Sequence, residues 1–344
     1  MKTETITLNE TREASLPAYI QEVDGEFGFS RRPAMLVIPG GGYAMCSDRE
    51  ADPVAMAYLK AGYQAFVLRY TCTPKGKWPL PLEDYEQTMS LIEERADEWH
   101  LDKARIAVVG FSAGGHLAAC AATVAEHKPS AAVLVYPAIL KDICDMCQPG
   151  MPYPNEHVTA QTCPCFLVAA RDDRTVDISN TLRMELALAE KGVAFESHIY
   201  SYGGHGFSTG EDWINTNSVC PRLPRWVPDS IEWLGEVMGK LTRSGFTEPI
   251  SAGSMNGNFA PVLSVDCTLS HLRRQSEEAK AVLAPMFAAI EAVAKARQFT
   301  ADGLMAAVGN NTAREIMEMV QIPAEAITRI DKELHQMINE LEDK

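Results

Sequence analysis

A serine flanked by glycines, Gly110-Phe111-Ser112-Ala113-Gly114, follows directly on the apolar run Ile106-Ala107-Val108-Val109 and opens a stretch of small residues, Gly115-His116-Leu117-Ala118-Ala119. A strand that runs into a helix through such a pentapeptide makes a nucleophile elbow. The sharp turn presents the hydroxyl, and the glycines keep side chains out of the adjoining strand and helix. The positive end of a helix starting at Ser112 then faces the place where an oxyanion would form. A serine hydroxyl also needs a base that removes its proton as it attacks. His205 fits that role, because Gly203-Gly204-His205-Gly206-Phe207 follows an apolar run at 195–200 and lets a pliable loop carry the imidazole over the elbow. By contrast, His100 and His127 are expected to close helices, and His116 to face away from the reaction one turn along the elbow helix.

The imidazole must be held in one tautomer by a carboxylate that accepts from its other ring nitrogen. Arg171-Asp172-Asp173-Arg174-Thr175-Val176 follows another apolar run, 166–170, and supplies two aspartates that chemistry alone does not separate. Asp173 is favoured, because Val176 three residues on can anchor the loop beneath it. Asp172 is then expected to form a surface ion pair with Arg171 or Arg174. The order Ser112, Asp173, His205 is that of serine hydrolases built on a parallel sheet. Two or three fixed donors for a tetrahedral oxyanion complete the set. Pro39-Gly40-Gly41-Gly42-Tyr43 follows a fourth apolar run, and Gly41 and Gly42 are the expected donors together with the Ala113 N–H.

Each of these residues stands at the end of a short β-branched run, and such runs alternate with longer amphipathic stretches from residue 35 to about 240, the signature of a parallel sheet covered by helices on both faces. Strands are expected over 35–38, 65–70, 106–109, 131–136, 166–170 and 195–200, after an antiparallel lead-in at 5–8 and 14–21. Helices are expected over 52–61, 82–99, 112–126, 179–191 and 229–240, with Gly62 and Gly192 as stops and Asp177 or Ser179 as an N-cap. Residues 1–242 thus form the expected catalytic domain. Residues 243–264, rich in Ser, Gly, Asn and Pro, read as a linker, and 265–344 as a small all-helical module. Within that module one helix is expected over 277–297 and another from Pro323. In the latter Ile327, Ile330, Leu334, Met337 and Leu341 recur at helical spacing; packing within the module is the expected use of that face, and self-association into a homo-oligomer the alternative.

Composition narrows the function classes. A 46% hydrophobic fraction spread over short runs argues against a membrane span, and a formal charge of −15 argues against nucleic acid or an anionic lipid surface as partner. The polar, acidic start at 1–10 lacks the features of a secretory signal, and nine cysteines, an odd number, then point to reduced thiols and a cytoplasmic setting. Cys144, Cys147, Cys163 and Cys165 are spaced loosely like a zinc ribbon. However, Cys163-Pro164-Cys165 leads straight into a strand with little freedom to wrap an ion, so buried free thiols are expected and no metal site.

As a set, these segments resemble bacterial α/β-hydrolases related to acetylxylan esterases and other carbohydrate esterases, within the lipase and esterase superfamily. The matching stretches are Val37 through Tyr43, Ser47-Asp48-Arg49-Glu50-Ala51, Phe66-Val67-Leu68-Arg69-Tyr70, Gly110 through His116, Asp172-Asp173 with Val176, and Gly203 through Phe207. The resemblance covers about residues 5–240. It implies the α/β-hydrolase fold and serine hydrolysis of small acyl esters, acetate on sugars among them, without metal or other cofactor. The segment 141–159, where many relatives insert substrate-contacting elements, is short. An acyltransferase would use the same three side chains with an acceptor that outcompetes water. So would a serine peptidase, but no acidic pair is placed to hold a peptide amine.

Overall fold

The computed structural model of the chain describes residues 1–23, 25–215, 219–250 and 256–339. It divides into two compact units, Met1–Gly253 and Ser254–Lys344. The first is built on eight strands: β1 (Lys2–Asn9), β2 (Ala14–Ile20), β3 (Arg32–Ile38), β4 (Gln64–Val67), β5 (Leu101–Phe111), β6 (Ala131–Val135), β7 (Cys165–Ala170) and β8 (Phe195–Tyr200). They lie side by side in the order β1-β2-β4-β3-β5-β6-β7-β8. β1, β2 and β4 pair antiparallel, and all pairs from β4 to β8 are parallel. The chain moves outward from β3 to β4, then returns to β5 on the other flank. The ends of β3 and β5 therefore meet at a topological switch point, where open parallel sheets place their ligands.

The parallel strands read as continuous apolar runs because both of their faces are covered. In β3, Ala34, Leu36 and Ile38 join one core while Met35 and Val37 join the other. The first core is closed by α2 (Leu80–Glu94), α3 (Ala113–Thr123) and α5 (Ser179–Glu190), through side chains such as Tyr85, Leu117 and Met184. The second is closed by α1 (Asp52–Lys60) and α6 (Trp226–Met238), through Tyr58, Trp226 and Leu234. A short helix, α4 (Lys141–Cys147), follows β6.

Several elements differ in extent from their sequence pattern; β3 begins at Arg32 rather than 35, and α2 ends at Glu94 rather than 99. β5 begins at Leu101, because a single pairing of Leu101 with Arg32 precedes a bulge and carries the polar stretch 102–105 into the strand. The end of the strand expected over 65–70 is lost: past Val67 only Ser15 and Arg69 form an isolated antiparallel bridge. Part of the expected linker is structured. Leu241–Thr242 (β9) and Gly245–Phe246 (β10) form a two-stranded hairpin, and Leu263 is buried in the core of the second unit; residues 251–255 lie outside the described residues.

That second unit is helical: α7 (Leu269–Leu272), α8 (Glu277–Val282), α9 (Ala284–Ala296), α10 (Ala301–Ala307), α11 (Ala313–Met319) and α12 (Ala324–Leu334). The single helix expected over 277–297 breaks at Leu283, because Pro285 in the first turn of α9 has no N–H to continue the ladder. Ile327, Ile330 and Leu334 of α12 are buried in their own unit, with Met337 half-buried beside them beyond the helix end; Leu341 lies outside the described residues. Among the described residues, no helix is long and apolar enough to cross a membrane.

Candidate active site

Ser112 joins β5 to α3 with φ 52° and ψ −115°, a left-handed conformation rarely held by a non-glycine residue. Backbone bonds pin it there: its N–H donates to Val135 O at 3.1 Å, and its carbonyl accepts from His116 N at 2.9 Å and Ala138 N at 3.1 Å. The flanking glycines are required by space. A Cβ on Gly110 would sit 2.2 Å from Gly114 O, and one on Gly114 would sit 2.1 Å from Ile38 O.

His205 reaches the elbow from the loop after β8. Its Nε2 is 2.9 Å from Ser112 Oγ, and its Nδ1 is 2.7 Å from Asp173 Oδ2. Because a carboxylate only accepts, Nδ1 carries the proton and Nε2 is the acceptor for the serine hydroxyl. Asp173 is buried, and its other oxygen accepts from Thr175 N at 2.8 Å and Val176 N at 2.9 Å. The carboxylate is thus fixed by three donors. The edge of the His205 ring packs on Tyr136, with centroids 4.9 Å apart. The three side chains singled out in the sequence therefore meet in one relay, and Asp173 rather than Asp172 completes it.

Asp172 departs from its expected use as an ion-pair partner of Arg171 or Arg174. Its Oδ1 accepts from Gly203 N at 2.9 Å and Gly204 N at 3.0 Å, tethering the loop that carries His205. These donors, the Gly204 N–H foremost, hold the Asp172 carboxyl below its usual range.

The expected oxyanion donors gather at the same place. Gly41, Gly42 and Ala113 line one cavity of about 400 Å³ together with Ser112 and His205. Gly41 has φ 130°, and a Cβ there would lie 2.2 Å from Met45 O. Its carbonyl turns back to accept from Ala44 N and Met45 N, while among the described residues neither the Gly41 nor the Gly42 N–H donates to a protein acceptor. The far wall is apolar: Met45, Val176, and Ile143, Met146 and Cys147 of α4. The segment 141–159 is short, yet it walls the cavity.

Two buried groups behind this surface were not assigned from sequence. Glu50 accepts from Gly40 N at 2.8 Å and from Tyr136 OH at 2.6 Å; Tyr136 in turn accepts from Ser208 N at 3.0 Å, and the Ser208 hydroxyl donates to Arg49 O. One carboxylate thereby links the glycine loop, the end of β6 and the stretch following His205. His116, expected to face away from the reaction, is wholly buried beneath the glycine loop, with Nδ1 2.7 Å from Tyr43 OH and Nε2 2.9 Å from Pro152 O. The carbonyl can only accept, so Nε2 donates and Nδ1 accepts from Tyr43. Burial lowers its pKa from 6.5 to about 4. Both lie in stretches that carry the family resemblance, Ser47 to Ala51 and Gly110 to His116, yet nothing in those stretches gives either a role: Glu50 is one acid among charged residues and His116 one polar residue in an alanine-rich helix.

Among the described residues, no group of three or more His, Cys, Asp or Glu side chains could hold a metal ion. Cys144, Cys163 and Cys165 are buried free thiols, and Cys147 is a half-buried one.

Comparison with known proteins fits this geometry. Residues 28–133 match the family model BD-FAE, and residues 82–225 match the dienelactone hydrolase family. The solved structure of MGS-M1, an α/β hydrolase from a Medee basin deep-sea metagenome library, is 37% identical with a TM-score of 0.64, covering 69% of this chain and 98% of that one. The chain belongs to the α/β-hydrolase family. Among curated members, it is 30% identical over 212 residues to endo-1,4-beta-xylanase B of Butyrivibrio fibrisolvens, covering 53% of this chain and 33% of that one. It is 28% identical over 219 residues to an acetylxylan esterase of Xylanibacter ruminicola, covering 56% of this chain and 45% of that one. The hydrolase thus spans less than half the length of either curated relative.

Proposed function

We propose that this α/β-hydrolase cleaves carboxylic esters of small acyl groups, O-acetylated sugars among them, through an acyl-enzyme on Ser112. The observation that carries the reading is the hydrogen-bonded relay Asp173–His205–Ser112 opening onto a cavity shared with Gly41, Gly42 and Ala113. In the first half-reaction His205 Nε2 takes the serine proton as Oγ adds to the ester carbonyl. Asp173 steadies the imidazolium, and N–H groups of the glycine loop and Ala113 receive the oxyanion. Collapse expels the alcohol, which leaves with the proton from Nε2. Water then repeats the sequence on the acyl-enzyme and releases the acid. The esterase names of the relatives support the ester bond, and the acetylxylan esterase supports acetate on a sugar as the substrate class.

The test is the Ser112→Ala variant. Wild-type protein is expected to react with a fluorophosphonate probe, to hydrolyse 4-nitrophenyl acetate and to release acetate from acetylated xylose, and the variant to do none of these while keeping its circular dichroism spectrum. Probe labelling that persists in the variant would remove Ser112 as the nucleophile. Wild-type turnover of aminoacyl-nitroanilides in place of acetates would overturn the ester reading.

A further inference from the structure

A second cavity, of about 230 Å³, adjoins His205 and is lined among the described residues by Arg49, Gly203, His205, Gly206, Ile214, Asn215 and Val219. It shares Arg49, His205 and Gly206 with the first. The leaving oxygen of an ester must lie within hydrogen-bond reach of His205 Nε2 to collect its proton. The remainder of the alcohol continues from that point, and a space walled by the same imidazole and the adjoining glycines is placed to receive it.

The charge of this space is opposite to that of the protein. The chain has 46 acidic against 31 basic residues, yet among the described residues no carboxylate lines the second cavity and a guanidinium does. Arg49 is exposed and has no carboxylate oxygen within 4 Å among the described residues, whereas its neighbour Arg69 is paired with Asp48 at 2.8 Å. Glu50, the acid beside it, has its oxygens engaged by Gly40 N and Tyr136 OH. Asp172 and Asp173, from the neighbouring loop, are likewise turned to backbone N–H groups and to His205. The position of the guanidinium is set locally. Arg49 O accepts from the Ser208 hydroxyl, and Nη2 lies 3.4 Å from where a Cβ on Gly206 would stand, an ordinary contact distance that places the guanidinium beside the residue after His205. Opposite it, Asn215 Nδ2 donates to Phe207 O and Glu211 O, each at 3.0 Å, which holds that wall in place.

We propose that this cavity takes the alcohol half of the substrate and that Arg49 selects alcohols bearing a carboxylate, as in an acylated hydroxy acid or uronic acid. The proposal rests on the ester-hydrolase reading and specifies its leaving group.

The matched pair 4-acetoxybenzoate and 4-acetoxybenzamide presents the same acetyl group and ring with and without the negative charge. The ratio of their kcat/KM values, carboxylate over carboxamide, is measured for wild type, Arg49→Met and Arg49→Lys. An ion pair exposed as this one is contributes ~1 kcal/mol, so the ratio should fall about fivefold in Arg49→Met. Arg49→Lys should retain part of the preference, and the wild-type ratio should shrink as sodium chloride is raised. A ratio that is the same in wild type and Arg49→Met, with both enzymes turning over 4-nitrophenyl acetate, would overturn this assignment and leave the hydrolase reading standing. Absence of turnover of every acetate by the wild type would overturn the hydrolase reading and the assignment with it.

Discussion

Lowering the pH from 7 to 5 should destabilise the α/β-hydrolase unit by about 2 kcal/mol through His116 alone. In the folded protein both ring nitrogens are occupied, one donating to Pro152 O and the other accepting from Tyr43 OH, and among the described residues no carboxylate contributes to the shift. A second ring proton would point at a hydroxyl already committed as donor, inside a site removed from water. Burial accordingly lowers the pKa to about 4, against 6.5 in the unfolded chain. The unfolded chain therefore binds a proton that the folded chain refuses. The full stability is present above about pH 6.5 and is lost progressively as pH falls toward 4; the part lost between pH 7 and 5 is the ~2 kcal/mol above. The assay is urea unfolding followed by tryptophan fluorescence, which reports on this unit because all five tryptophans (78, 99, 213, 226 and 233) precede residue 253. Wild type and His116→Gln are compared at pH 7, 6 and 5. The variant should begin less stable, having lost part of the bonding to Tyr43 and Pro152, yet lose about 2 kcal/mol less over the same interval. Equal losses in the two proteins would refute the argument.

Two further outcomes follow from the site. Asp173→Asn removes the acceptor that fixes the His205 tautomer and should cost roughly a thousandfold or more in kcat, whereas Asp172→Asn keeps an oxygen for the Gly203 and Gly204 N–H groups and should cost less than about threefold; kcat on 4-nitrophenyl acetate distinguishes them. Glu50→Gln leaves an amide that cannot accept from both Gly40 N and Tyr136 OH, so kcat should fall about tenfold with KM little changed, and urea midpoints should show a loss of about 1–3 kcal/mol.

The parts of the site that were legible in the sequence are those whose chemistry imposes a local pattern. The elbow demands glycines at 110 and 114 because backbone from β3 and α3 lies against them, and a histidine between glycines at the end of an apolar run has few structural uses. Chain order then pointed to the Asp172-Asp173 pair, and Val176 three residues on favoured Asp173. The remaining groups act through contacts made only when distant segments fold together. Glu50 acquires its role from Tyr136, 86 positions away, and Asp172 from a loop 31 positions on, so neither leaves a mark in its own neighbourhood. The buried contacts of His116 were not legible for a related reason. Helical spacing orients a side chain relative to its own helix, and it says nothing of the glycine loop that folds over that helix. The shifted strand limits have another cause: β5 takes up Asp102 to Arg105 because Leu101 and Ile106 on either side of them pair with β3, and the four residues between form the bulge.

The left-handed backbone at Ser112 bears on how long such a site persists. Glycine would hold φ 52° without steric cost, so the residue proposed as the nucleophile is the wrong one for the turn it occupies. Stability and turnover pull position 112 in opposite directions. A lineage in which the reaction ceased to matter would drift toward glycine there and become a sturdier, inert protein. On the proposed function, serine at that position is held by use, against the preference of the fold.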